Sequence, residues 1–258
     1  MGKLFKNQAE LLNYLNEQAE HFEHPWFIEE DPVSIPHLFS SKEDIEISAF
    51  LAATIAWGQR KTILKNAHRI VDLMDHAPYD FLLNHEDRDL KRFEDFVHRT
   101  FNSTDLLYFI HYLTHLYKEE KSSLEEALSR GETIKESIHL FKQHFFSLED
   151  APNRTRKHVA DPLKGSSAKR INMYLRWMVR PEKKGVDFGI WKNWKTKDLL
   201  IPLDIHTGNV GRKLGLFSRK QNDWKSVEAL TNALRKLNPQ DPVKYDFALF
   251  GLGVSGKI

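Results

Sequence analysis

The chain has 258 residues, 41% of them hydrophobic, which is enough for a substantial core and excludes a wholly disordered protein. It contains no cysteine, so disulfides, thiolate-bound zinc, iron–sulfur clusters and cysteine nucleophiles are excluded. The net charge of +2 conceals an asymmetry: residues 151–220 hold 17 Lys/Arg against 5 Asp/Glu, a balance of +12, and the rest of the chain carries −10. A basic stretch interleaved with Trp177, Trp191 and Trp194 suits a polyanion with stackable bases, although a solvated basic face would have the same composition.

In chain order, the apolar spacing predicts helices almost throughout. Leu4, Leu11, Leu12 and Leu15 mark a first helix ending near His24 and Pro25, and residues 25–39 read as a loop. Ser41 followed by Asp44 forms a cap for a helix through Ile45, Phe50, Leu51 and Ile55 that is buried on most sides. Further helices are expected over residues 62–74, over 105–117 behind a Ser103 or Thr104 cap, and over 133–146. The periodicity shows no alternating strands and no repeat, so an all-α fold is expected. No apolar run reaches the roughly 18 residues of a membrane span. The polar sequence directly after Met1–Lys6 predicts no signal peptide.

From Gly165 onward the pattern carries chemistry. Gly165, Ser166 and Ser167 break the chain, and residues 168–180 then form a helix stopped by Pro181. Lys169 lies in its first turn, where the positive end of the helix dipole and Arg170 both disfavour the ammonium. A Schiff-base lysine needs that environment. Asp204 directly precedes a helix from about Ile205 to Leu214 that ends at Gly215, a position that favours a carboxylate. Such an aspartate can accept a proton from an amine or stabilise positive charge on a sugar; it can equally be a plain helix cap. The final segments are a helix over 226–237 and an aromatic stretch over 245–250. His111 and His115 are one helical turn apart, but no third ligand accompanies them, so no metal site is expected.

The segment Gly165 to Asn172 resembles the hairpin of the helix-hairpin-helix–Gly/Pro–Asp superfamily of DNA glycosylases, and Pro202 to His206 resembles its aspartate segment. Residues 50–66, with Trp57, Gly58, Gln59, Arg60 and Lys61, are similar to the helix and turn that fill the gap left by an extruded base. Together with Lys169–Arg180 and Asp241–Gly253, these blocks are similar to an uncharacterised bacterial family within that superfamily. Two departures stand out. Only Gly165 remains of the usual Gly-x-Gly hairpin, and Lys169 and Asp204 are 35 positions apart, a lengthened spacing shared with archaeal 8-oxoguanine glycosylases.

The resemblance implies a two-lobed fold with a cleft: one lobe over 41–180 and another from 1–40 with 181–258. It implies excision of a damaged base, such as 8-oxoguanine, from double-stranded DNA, with accompanying strand cleavage. Lys169 would attack the sugar and Asp204 would assist. Gln59, Arg60, Lys61, Gly165, Ser166, Ser167, Arg170, Arg176, His206 and Arg212 would contact DNA, and Trp57, Trp177 and Trp191 would line the base pocket. A cytoplasmic monomer without cofactor or metal is expected. The alternative is a non-enzymatic nucleic-acid-binding protein that keeps the hairpin as a phosphate grip.

Overall fold

A computed structural model describes residues 4–181 and 184–256. The fold is predominantly helical. In chain order the helices are α1 (Gln8–Phe22), α2 (Lys42–Thr54), α3 (Arg60–Leu73), α4 (Pro78–Asn84), α5 (Asp87–Leu90), α6 (Ser103–Thr114), α7 (Leu124–Ala127) and α8 (Ile134–Phe145). They continue with α9 (Lys169–Val179), α10 (Ile205–Lys213), α11 (Trp224–Leu237) and α12 (Tyr245–Ser255). The only sheet among the described residues is a two-residue hairpin, β1 (Val97–His98) antiparallel to β2 (Phe101–Asn102), pairing Val97 with Asn102 and His98 with Phe101. Arg99 turns this hairpin in the left-handed region, at φ +56°.

Cap chemistry explains most helix starts. The Ser41 hydroxyl accepts the Asp44 N–H at 3.2 Å, Thr133 accepts that of Glu136, and Asp223 accepts that of Ser226. Because Asp223 is the cap, α11 begins two residues before the expected Ser226. At α6 the Asp105 carboxylate accepts the Asn102 N–H at 3.0 Å, and that helix starts earlier than expected; it then passes into one π turn over His115–Glu119. Residues 25–39, expected as loop, contain three short 3-10 turns. The aromatic segment near the end is a full helix, α12.

The chain divides into two compact units. One is Met1–Phe27 with Asp161–Ile258, and the other is Ile28–Ala160. The division falls at 160/161 rather than 180/181, so α9 and the hairpin before it go with the chain ends. The physical reason is buried charge: Arg176 on α9 and Arg180 just past its end pair with Glu23, Asp187, Asp241 and Asp246, all of the first unit. In that unit α12 packs on both α1 and α10. Phe22 of α1 fills the space beside Gly251 and would collide with any side chain there. In the second unit Phe50, Phe109, Phe141 and Phe145 form an aromatic core, with Phe109 and Phe145 rings 4.6 Å apart.

Candidate active site

Lys169 is the first residue of α9 and Asp204 is the N-cap of α10. The two lie in the same unit, with the Lys169 Nζ 3.9 Å from Asp204 Oδ2. Their side chains are 28% and 18% exposed, so the pair is sheltered yet open to a substrate. The other carboxylate oxygen, Oδ1, accepts the Thr207 N–H at 2.8 Å, which fixes the rotamer and leaves Oδ2 towards the amine.

A second layer holds Asp204 from behind. Asn222 Nδ2 donates to the Asp204 carbonyl at 3.0 Å, and Asn222 in turn accepts a hydrogen bond from Arg212. Arg212 also donates to the carbonyls of Arg219 (2.7 Å) and Lys220 (2.9 Å), and its guanidinium lies 4.8 Å over the Phe217 ring. The sequence assigned Arg212 to DNA. The structure gives its donors to the 219–222 loop, which props Asp204. Neither Asn222 nor this role has a sequence signal, because the contacts join a helix to a loop beyond it.

The hairpin before Lys169 differs from its expected form. Two 3-10 turns, Asn153–His158 and Pro162–Lys164, stand where a leading helix would be. Gly165 is left-handed at φ +88° and exposed, with nothing within 4 Å of a would-be Cβ. Its backbone is pinned to α11: the Trp224 N–H donates to the Gly165 carbonyl at 3.1 Å, and Ser166 bridges to Asp223. The Ser166 hydroxyl accepts the Ala168 N–H at 3.2 Å, and the Ser167 carbonyl accepts from Asn172 at 3.1 Å. Ala168 is left-handed at φ +47°, a costly conformation for alanine that turns the chain sharply into Lys169. It supplies no side-chain cap to α9.

The remaining candidates separate clearly. Arg170 is half-buried, and burial pushes its guanidinium down to about 10. Arg176 was expected on DNA but is buried, 3.2 Å from Asp187 and 2.5 Å from Asp246. Trp177 and Trp191, expected in a base pocket, are fully buried core residues, Trp191 packing edge-on to Tyr174 at 5.2 Å. The burial of α9 from Ile171 to Val179 and the segment lying on it explain this: the Trp177 and Met178 carbonyls accept the N–H groups of Phe188 and Trp191. His206 is exposed on α10, with the Phe250 ring 6.1 Å away and Gly253 against its backbone. His206, Asn209, Val210, Arg212, Lys213 and Gly253 line a cavity of 340 Å³.

Gln59, Arg60 and Lys61 belong to the second unit, at the start of α3. Gln59 and Lys61 are exposed, and Arg60 is 3.8 Å from Glu30. Gly58 has φ +104°, with the Arg99 side chain 3.0 Å from the point a Cβ would occupy. Trp57 is half-buried, edge-on to His98 at 4.8 Å and stacked on His158 at 5.8 Å. The His98 Nε2–H donates to the Trp57 carbonyl at 3.0 Å, while its Nδ1 accepts from Asn66 at 2.9 Å. That network holds the Trp57 carbonyl two residues before Gln59. His111 and His115 each face a carboxylate, Asp150 at 3.4 Å and Glu120 at 3.2 Å. Among the described residues no group of three or more His, Asp or Glu is arranged to hold a metal, and no helix is long and apolar enough to cross a membrane.

The architecture is thus that of a helical protein with a partly open lysine–aspartate pair set at two helix starts. The chain belongs to the family described as "Protein of unknown function (DUF2400)", whose family model matches residues 31–255. No curated protein and no solved structure matches it.

Proposed function

We propose that this protein is a DNA glycosylase with lyase activity, of the helix-hairpin-helix–Gly/Pro–Asp type, acting on an oxidised purine such as 8-oxoguanine. The observation that carries the reading is the 3.9 Å approach of Lys169 Nζ to Asp204 Oδ2, with both groups partly exposed in one unit. A closure of about 1 Å would bring them to hydrogen-bond distance, where the carboxylate can take the ammonium proton. The free amine attacks the sugar C1′, and the C1′–N bond breaks with its electron pair leaving on the base. Opening of the sugar ring and loss of the nitrogen proton give the imine between C1′ and Nζ. Asp204, held by Thr207, remains beside the sugar and offsets the positive charge that develops there. The surface cations of 151–220 supply the phosphate contacts, since the Gly165 and Ser166 N–H groups are taken by the Pro162 and Asp161 carbonyls. Gln59, exposed at the start of α3, is the residue for the vacated base position.

Borohydride trapping tests this. Incubated with duplexes carrying single oxidised bases, the protein should form a covalent adduct that Lys169→Gln abolishes while DNA affinity persists. Salt-dependent DNA binding without an adduct on any lesion duplex would refute the lyase chemistry and leave a binding protein.

A further inference from the structure

Lys169 and Asp204 are 35 positions apart, so the covalent chain between them does not set their separation. Residues 222–224 join the two arms instead. At one end the Asn222 Nδ2–H donates to the Asp204 carbonyl at 3.0 Å. At the other, Asp223 forms an antiparallel bridge with Ser166, and the Trp224 N–H donates to the Gly165 carbonyl at 3.1 Å. Lys169 follows closely on that grip, and the Ser166 hydroxyl takes up slack by accepting the Ala168 N–H at 3.2 Å.

The joining segment is itself anchored. Arg212 donates to the Arg219 and Lys220 carbonyls and to Asn222 Oδ1. Arg219 pairs with Asp223 at 2.8 Å, and the Ser226 hydroxyl donates to the Gln221 carbonyl. Every residue from 219 to 223 therefore has a side chain or a carbonyl fixed by a neighbour. Helix α10 opens a slot for Asn222. Gly208 is buried in its interior, where glycine weakens a helix relative to alanine. Its φ is not positive, so the backbone conformation does not call for glycine. Space does: a Cβ there would lie 2.8 Å from Asn222 Oδ1, 3.1 Å from Asn222 Nδ2 and 3.0 Å from Arg212 Nη1.

We infer that residues 222–224 are the spacer that sets the 3.9 Å gap between Lys169 and Asp204, with Asn222 a positioning residue and Gly208 the opening that admits it. Two separate donors hold the aspartate. Asn222 fixes where its backbone stands, and the Thr207 N–H fixes which way its carboxylate points. Oδ2 is left facing the amine. The inference rests on Lys169 and Asp204 being the working pair.

A zero-length cross-link reads the gap without nucleic acid. A water-soluble carbodiimide activates the Asp204 carboxyl, and the Lys169 amine displaces the urea to form an amide, with overall loss of water. Mass spectrometry of the digested whole protein gives the yield. The native protein should form this cross-link. Asn222→Ala removes the donor, while Gly208→Ala pushes Asn222 from its slot yet improves the helix propensity of α10; both should lower the yield several-fold. Gly251→Ala, which strains the contact between α1 and α12, should leave the yield unchanged. On lesion duplexes the single-turnover trapping rate of both spacer variants should fall by up to about 100-fold at unchanged DNA affinity, as for reacting groups misplaced by about 1 Å. Absence of the native cross-link, a yield unmoved by Asn222→Ala or Gly208→Ala, or an equal fall in Gly251→Ala would overturn the inference. Cross-link loss in a protein that never traps a lesion duplex rejects only the glycosylase reading; trapping with unmoved yields rejects only the spacer.

Discussion

Replacing Arg180 with methionine isolates the energetics of the buried network. The side chain keeps a similar apolar stem, so packing is largely conserved, but Glu23 and Asp241 lose their cation and Asp187 keeps only Arg176. In the native protein burial alone would push the guanidinium down, and Glu23, Asp187 and Asp241 instead hold it above its ordinary value. Breaking a buried ion pair by removing one partner costs about 3–5 kcal/mol, because the remaining charge is stranded out of water. Glu23 and Asp187 are both buried, so the loss should fall in that range at neutral pH. Urea unfolding followed by tryptophan fluorescence is the assay. Five of the six tryptophans, all but Trp57, lie in the unit that contains Arg180, so the signal reports mainly on that unit. The pH dependence sharpens the test. Stranded carboxylates have raised folded pKa values, so the penalty should shrink as pH falls and they take up protons. Glu23→Gln in the Arg180→Met background should restore part of the stability at pH 7. A loss below about 1 kcal/mol, equal at pH 5 and pH 8, would show that these carboxylates are solvated and refute the account of the network.

Other substitutions check separate parts of the structure. Gly251→Ala places a methyl inside the Phe22 ring position and should cost about 1–3 kcal/mol by overpacking the contact between α1 and α12, measured as a fall in urea midpoint. Asp204→Asn should leave stability within about 0.5 kcal/mol because asparagine caps as well as aspartate, whereas Asp204→Ala should lose about 1 kcal/mol. Both should abolish any covalent trapping. Asp246 has a folded pKa raised from 3.8 to about 6, so its contribution to stability is present below pH 3.8 and lost as pH rises through 6. On the order of 3 kcal/mol is involved, and in Asp246→Asn the decline in stability between those pH values should flatten.

Helices with a local cap signal were legible from the residues alone. Ser41 with Asp44, Thr133 with Glu136 and Asp204 with Thr207 each satisfy orphan N–H groups within three residues, and such signals are readable in one dimension. The lysine–aspartate pair came into view for the same reason, since both members sit at helix starts. Helix α12 escaped because it is buried on two sides and nearly all apolar, leaving no periodic stripe to mark it. The hairpin at 97–102 has strands too short to alternate. The larger error concerned charge. Arg176 and Arg180 add to the basic balance of 151–220 like any surface cation, but their partners lie at 23, 187, 241 and 246. Nothing local distinguishes an arginine awaiting distant carboxylates from one awaiting phosphate. Trp177 and Trp191 mislead similarly: an aromatic beside lysines reads as a stacking platform until burial places it in the core.

The unit that holds Lys169 and Asp204 is assembled from both chain ends, and this fixes an order of events during synthesis. Helix α1 is synthesised well before the helix it packs against, α12, and Glu23 meets Arg180 across 157 positions. Residues 28–160 form a continuous stretch and have all their internal contacts available before Asp161 is translated. The second unit can therefore close early, while α1 waits with Leu11, Leu15, Ala19 and Phe22 uncovered. Arg176 meets Asp246 only once α12 has docked, so an unfinished chain holds that guanidinium without one of its two buried carboxylates.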